Sequence, residues 1–287
     1  MSKVILFGAS GFLGRELVKK LAGLDGNLSC PDSKTVNLCN SELVIEYLAK
    51  NATKSTTIIM LANRMPYSSL SKDSLELMFE NILMVKNLLL ALEKTPVGEV
   101  IFASSIDVYG FHDSVIDEAA ELNPVTNYGA SKVACEILLK TRLTQLSIPF
   151  LNLRLPQIIG KYDPSFKVVN IFLDAAVKSN PIVINGDGLS SRDFISVSDV
   201  ATIILHSAGQ RINTTINLVS GTSLTMRELA NLVKALCPEI DIRFNRGAFK
   251  ETIFNFNDAK FKEYFSDFVF ESRTDVIQEI YQYKLER

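Results

Sequence analysis

Short apolar runs alternate with longer amphipathic stretches through the first half of the chain. Runs that read as buried strands lie at 3–7, 27–30, 56–61, 98–103 and 148–154, and a 3.6-residue rhythm marks helices at 12–22, 41–50, 74–94 and 128–146. Strand and helix in regular alternation is the pattern of parallel βαβ units, so the expected fold class is α/β, a doubly wound parallel sheet with helices on both faces. The second strand is short and runs into Pro31-Asp32-Ser33-Lys34. After Arg154 the rhythm loosens: Pro156, Pro164 and Pro181 interrupt it, Asn185-Gly186-Asp187-Gly188 reads as a turn, and helices resume near 198–208 and 225–236. That half is expected to form a smaller α/β lobe over the carboxyl ends of the strands, where open sheets hold their ligands.

The first strand runs into Gly8-Ala9-Ser10-Gly11-Phe12-Leu13-Gly14 and then into an amphipathic helix. A strand, a glycine-rich turn and a helix form the context of a Rossmann dinucleotide site. Small residues let the backbone approach a pyrophosphate, whose charge the helix N-terminus stabilises. Gly8, Ser10, Gly11, Phe12, Leu13 and Gly14 are therefore the first cofactor candidates, although the spacing is G-x-x-G-x-x-G and a plain turn with packing glycines would look similar. Farther on, Tyr128-Gly129-Ala130-Ser131-Lys132 puts a phenol and an ammonium on one helix face. A nearby ammonium favours the phenolate, which could exchange a proton with a hydroxyl or carbonyl.

Composition narrows the partners. With 287 residues, 47% of them hydrophobic, the chain can bury a large core. A net charge of −2 argues against nucleic-acid and membrane-surface binding, and no apolar run is long enough for a bilayer. The first strand starts almost at residue 1, which predicts a cytoplasmic protein without a signal peptide. Cys30, Cys39, Cys135 and Cys237 lack paired spacing, so no metal site is expected and the thiols are expected to be reduced.

Several motifs in a fixed order resemble the extended short-chain dehydrogenase/reductase family of NAD-dependent, sugar-nucleotide-modifying epimerases, dehydratases and reductases. Besides the glycine turn and the Tyr128/Lys132 helix, they are Phe102-Ala103-Ser104-Ser105-Ile106-Asp107-Val108-Tyr109-Gly110, Leu153-Arg154-Leu155-Pro156 through Gly160, and Gly186-Asp187-Gly188 with Arg192-Asp193-Phe194-Ile195 and Asp199-Val200. The resemblance implies a dinucleotide-binding domain over 1–160 with a return near 192–218, and a sugar-nucleotide lobe mainly over 161–287. It implies a catalytic set of Ser105, Tyr128 and Lys132, with Ser104 as the near competitor of Ser105. Tyr128 would be the proton donor or acceptor, and Lys132 would bind the nicotinamide ribose. It places Asn37 and Leu38 beneath the adenine, and Leu61, Ala62 and Asn81 along the cofactor; Asn81 could instead be a solvated helix residue. Asp107 and Arg192 become substrate-binding candidates, Arg192 for the diphosphate unless it only pairs with Asp193 or Asp187. His112 lies near the implied site, where a solvated loop histidine is the simpler reading. A homodimer through 74–94 and 128–146 is also implied.

Departures from the family pattern shape the expected reaction. No acidic residue stands clearly at the end of the second strand: Asp32 would argue for NAD, whereas Ser33 and Lys34 would argue for NADP, and the reading leans toward NADP. Dehydratases of the family carry carboxylates beside the active-site serine or threonine, but here the two following positions are Ile106 and Asp107. The cysteine and histidine acid–base pair of the double epimerases is not found at the corresponding positions. The leading expectation is an NDP-4-keto-6-deoxyhexose reductase. An NDP-hexose 4-epimerase with tightly held NAD is the alternative; a 4,6-dehydratase or a non-catalytic dinucleotide sensor is disfavoured.

Overall fold

A computed structural model describes residues 3–21, 27–66, 73–112, 114–163, 167–247 and 251–287. Pro164, expected as a break in the pattern, and residue 22, at the end of the first expected helix, lie outside them. Six parallel strands form the main sheet: β1 (Val4–Phe7), β2 (Leu28–Ser29), β3 (Thr57–Met60), β4 (Glu99–Ser105), β5 (Phe150–Leu155) and β10 (Thr214–Asn217). Their spatial order is β10-β5-β4-β3-β1-β2. The chain thus winds to one side of β1 and then to the other, so β1 and β3 flank the point where the winding reverses. In such sheets the crevice at that point is the place for a ligand.

Successive strand side chains point to opposite faces, and both faces are buried here. Val4, Leu6, Ile59 and Ile101 pack toward α1 (Phe12–Leu21) and α6 (Val197–Ser207). Ile5, Phe7, Ile58, Met60 and Val100 pack toward α2 (Ser41–Asn51), α3 (Leu75–Lys94) and α4 (Asn127–Gln145). This two-sided burial is why the strands read as unbroken apolar runs. Side chains of Asn40, Ser74, Thr126 and Ser196 accept hydrogen bonds from first-turn N–H groups and so set the starts of α2, α3, α4 and α6.

A separate apolar cluster builds the smaller lobe from α5 (Val168–Val177), α7 (Met226–Leu236), α9 (Arg273–Leu285) and β7 (Ile182–Asn185), the last paired in parallel with β12 (Ile242–Asn245). Short pairs join the lobes: β6 (Gln157–Ile159) with β9 (Phe194–Ser196), and β8 (Ser191–Arg192) with β11 (Leu224–Thr225). The segment from β9 through β10 returns to the main sheet. A further return lies beyond the one expected at 192–218, because α8 (Ala259–Tyr264) sends Phe261 into the α1/α6 core and Phe265 follows it. Among the described residues no helix is long and apolar enough to cross a membrane.

One buried carboxylate ties the connection between α6 and β10, within the return at 192–218, to the sheet. Glu99, at the start of β4, accepts from Thr57 Oγ1 at 2.7 Å, from Arg211 N at 2.7 Å and from Gly209 N. Glu99→Ala removes the acceptor of three donors at once. Leaving such groups unsatisfied costs about 2–4 kcal/mol, so the urea midpoint should fall with the slope unchanged. A loss below about 0.5 kcal/mol would show that this carboxylate does not secure the return.

Candidate active site

The turn after β1 is built for close approach. Gly8 has φ +95°, and a Cβ there would lie 2.6 Å from Ala62 N; a Cβ on Gly14 would lie 2.1 Å from Gly8 O. Neither position can accept a side chain without separating β1, β3 and α1. Gly11 is less constrained, its nearest foreign atom being Gly8 O at 3.3 Å from the position of a Cβ. The result is a bare backbone cradle at the N-terminus of α1, which fits the pyrophosphate of a dinucleotide.

Gly8, Gly11, Phe12, Leu13 and Gly14 line a cavity of about 830 Å³. Leu61, Ser105, Asp107, Tyr128 and Arg192 lie on the same wall system. The structure therefore brings together the glycine turn, the serine at the end of β4, the tyrosine of α4 and two of the charged candidates. Ser105 Oγ accepts from Asp107 N at 3.1 Å, and its hydroxyl also faces the Asp107 carboxylate on the same cavity. Ser104, its competitor, donates to Glu136 Oε1 at 2.5 Å, so its proton is committed to the protein.

Lys132 is only 2% exposed. Its Nζ donates to Ala103 O at 2.7 Å and stands 4.7 Å from the Phe102 ring centroid and 5.6 Å from that of Tyr128. Burial pushes this ammonium down to about 8, against the pull of Cys135, Glu136 and Asp107. One of its three protons is given to Ala103, and the ammonium itself lies behind the residues that line the cavity.

The other candidates occupy different places. Ser10 is exposed and Ala62 gives its N–H to Phe7 O at 3.0 Å; neither lines the cavity. Asn37 is also exposed and holds Cys39 N at 3.0 Å, while Leu38 is a core residue whose carbonyl accepts from Asn87 Nδ2 at 2.9 Å. Asn81 is neither a wall residue nor a solvated one. It is buried, accepts from Arg64 N at 2.7 Å, and donates to Arg64 O at 3.1 Å and Ser131 Oγ at 3.2 Å. Its amide braces the segment after β3 against α4. His112 meets Glu121 O through Nε2 at 2.9 Å on an exposed loop. Cys30, Cys39, Cys135 and Cys237 are unbridged.

On the small-lobe side, Arg192 lies with its guanidinium 4.7 Å from the Phe254 ring centroid, and its Nη1 donates to Ser191 O and Thr252 O at 2.8 and 3.2 Å. The expected alternative of a salt bridge to its neighbours is not formed: Asp193 takes Ser220 N and Oγ, and Asp187 faces Arg246 at 3.5 Å. Burial pushes the Asp107 carboxyl up, opposed by Arg192, the Ser105 hydroxyl and Lys167. Lys167, Gln157 and Asn63 also line the cavity and went unnoticed in the sequence. Lys167 immediately precedes α5, whose nearly unbroken apolar sequence hides its helical rhythm. Burial lowers the Lys167 ammonium against the pull of Asp163 and Asp107.

The model of the NAD dependent epimerase/dehydratase family matches residues 4–218. A putative UDP-glucose 4-epimerase of Methanocaldococcus jannaschii is 32% identical over 159 residues, 54% of this chain and 52% of that protein. A dTDP-4-dehydro-6-deoxyglucose reductase of Escherichia coli is 33% identical over 187 residues, 62% of this chain and 58% of that protein. The matches thus span little more than half the length of these curated relatives. A solved UDP-glucose 4-epimerase of Thermus thermophilus in complex with NAD superposes with a TM-score of 0.80 at 22% identity, covering 98% of this chain and 99% of that one, which shows a shared fold. With three quarters of its length and its glycine cradle inside the matched segment, the chain belongs to the NAD dependent epimerase/dehydratase family.

Proposed function

We propose that the protein is an NAD(P)-dependent oxidoreductase acting at C4 of a nucleotide-activated sugar, with reduction of an NDP-4-keto-6-deoxyhexose as the leading reaction. The observation that carries this reading is the meeting of Ser105 and Tyr128 with the glycine cradle on one cavity, above the buried Lys132. Gly8, Gly11, Gly14 and Lys132 would hold the cofactor. When bound, its nicotinamide supplies the hydride that no side chain can supply. Ser105 donates to the sugar oxygen and orients it, and Tyr128 gives that oxygen its proton. Lys132 holds the ribose and places a positive charge beside the phenol.

The Escherichia coli relative supports the reductase. A 4-epimerase is the second reading, favoured by the Methanocaldococcus jannaschii relative, and it asks the same three residues to move a proton both ways. Dehydration has less support, because Ile106 is buried against Val108 and Tyr109 and only Asp107 offers a carboxylate beside Ser105. Arg192, flattened on Phe254, is assigned to the diphosphate. Exposed Leu75 and Phe79 on α3, with Ile137 and Leu138 on α4, offer an apolar face for a homodimer.

NADP is assigned as the preferred cofactor. β2 ends at Ser29, Cys30 follows, and Asp32 lies beyond it with its Oδ1 held by Thr35 N and Thr35 Oγ1, both at 2.7 Å. No carboxylate at the strand end repels a 2′-phosphate, and exposed Lys34 can attract one.

Tyr128→Phe should lower turnover by a factor of about 10² or more while dinucleotide binding persists; near-normal turnover would remove Tyr128 from the chemistry. Arg192→Ala should weaken binding of the preferred free nucleoside diphosphate about tenfold or more in calorimetric titration, and unchanged affinity would withdraw the diphosphate assignment. The NADPH over NADH ratio of kcat/KM should exceed one and fall in Lys34→Glu, by about the fivefold expected of one exposed charge. A wild-type preference for NADH that Lys34→Glu leaves untouched would reverse the cofactor assignment.

A further inference from the structure

Behind the cavity wall, and reaching it through Ser104, lies a buried polar cluster whose ion pair does not itself line the cavity. Glu136 and Arg154 are both nearly inaccessible, and their side chains meet at 2.7 Å, with Arg154 Nε also 3.1 and 3.2 Å from the two carboxylate oxygens. Glu136 takes the Ser104 hydroxyl at 2.5 Å, and Ser104 immediately precedes Ser105 on β4. Arg154 Nη1 donates to Tyr109 OH at 2.7 Å and Glu118 O at 3.3 Å, and Tyr109 OH donates to Asn217 Oδ1 at 2.7 Å. One cluster thus grips β4, β5, β10, α4 and the turn after Ser105.

Buried ion pairs are poor sources of stability, because desolvation consumes most of the Coulomb gain and well-packed apolar pairs do as well. Geometry gives this pair another use. Glu136 lies four residues after Lys132 on α4, on the same helix face. Lys132 is faced by Tyr128, Cys135 and Glu136 from its own helix and by Asp107 from the turn after β4, while β4 itself offers the Phe102 ring and the Ala103 carbonyl. Burial pushes the Cys135 thiol up to about 11, so it is neutral near pH 7 and adds no charge. Asp107 shares its attraction between Lys132, Lys167 and Arg192. Glu136, locked by Arg154, is the charge fixed nearest in sequence.

We propose that the Glu136–Arg154 pair is a positioning device for the reaction centre, which aligns the end of β4 through Ser104 and supplies the fixed negative charge that keeps the buried Lys132 ammonium protonated. This rests on the proposed dinucleotide-binding function, in which that ammonium holds the cofactor ribose. Glu136 and Arg154 are positioning residues, since neither lines the cavity. Their effect is therefore read as a displaced titration of Lys132 and not as a lost contact.

The experiment is fluorescence titration of the full chain with NADPH across pH. Wild-type affinity should weaken as pH rises through about 8, as Lys132 loses its proton. Glu136→Gln keeps the shape and removes the charge; at one helical turn and partly screened, this should bring the midpoint about one pH unit lower. Glu136→Asp keeps the charge and should leave the midpoint in place. Should Glu136→Gln fail to fold, the doubly apolar Glu136→Met/Arg154→Met protein, which removes the pair without leaving an unpaired charge, should show a downward move of the same sign but smaller, because the positive charge of Arg154 leaves with the negative charge of Glu136. A midpoint that stays at the wild-type pH in either charge-removing variant, with NADPH still bound at low pH, overturns the positioning role alone. A wild type that binds neither NADPH nor NADH overturns the dinucleotide function and this proposal together.

Discussion

The site depends on keeping a lysine ammonium inside the protein. Lys132 lies under the end of β4, against an aromatic ring and one carbonyl, where an unpaired charge is costly. Its neighbours follow from that placement. α4 must pack along the sheet closely enough for Lys132 to reach Ala103 O, and the same contact sets Tyr128 one turn earlier on the cavity wall. Asn81 and Ser131 fasten α4 to the segment following β3, while Glu136 fastens it to β4 and β5. A helix held from both sides cannot slide, and so the Tyr128 phenol has a fixed height above the sheet.

The second constraint is steric. Gly8 and Gly14 let the end of β1, the start of α1 and the backbone after β3 meet at distances that no Cβ tolerates. The opening left at this switch point faces Ser105 and Tyr128 across the cavity. The smaller lobe closes the far side with Arg192 on Phe254 and with Lys167 at the start of α5. Cationic side chains thus face the cavity from the lobe, and Ser105 and Tyr128 face it from the sheet side.

Much of this was legible in the chain. Strands buried on both faces give continuous apolar runs, so β1, β3, β4 and β5 stood out, and the ordered motifs gave the family that the match over residues 4–218 shows. The lobe was harder to read for physical reasons. Its strands β6 to β9, β11 and β12 hold two to four residues each, too few for a period to emerge, and α5 is apolar almost all round. Buried polar residues were the least visible. Asn81 reads as a cofactor contact or a solvated side chain, and the structure buries its amide between Arg64 and Ser131, while Glu136 has the sequence context of a surface glutamate on an amphipathic helix. Nothing local distinguishes a carboxylate facing water from one facing an arginine 18 residues away in the chain.

The most direct test of the central claim is to follow the isotope. With NADPH deuterated at C4 of the nicotinamide, in separate 4R and 4S preparations, and a panel of NDP-4-keto-6-deoxyhexoses, one preparation should deliver a single deuterium to C4 of the product sugar, seen by mass spectrometry and placed by NMR. Sugar product formed with no deuterium from either preparation, or with deuterium at another carbon, would contradict hydride transfer at C4.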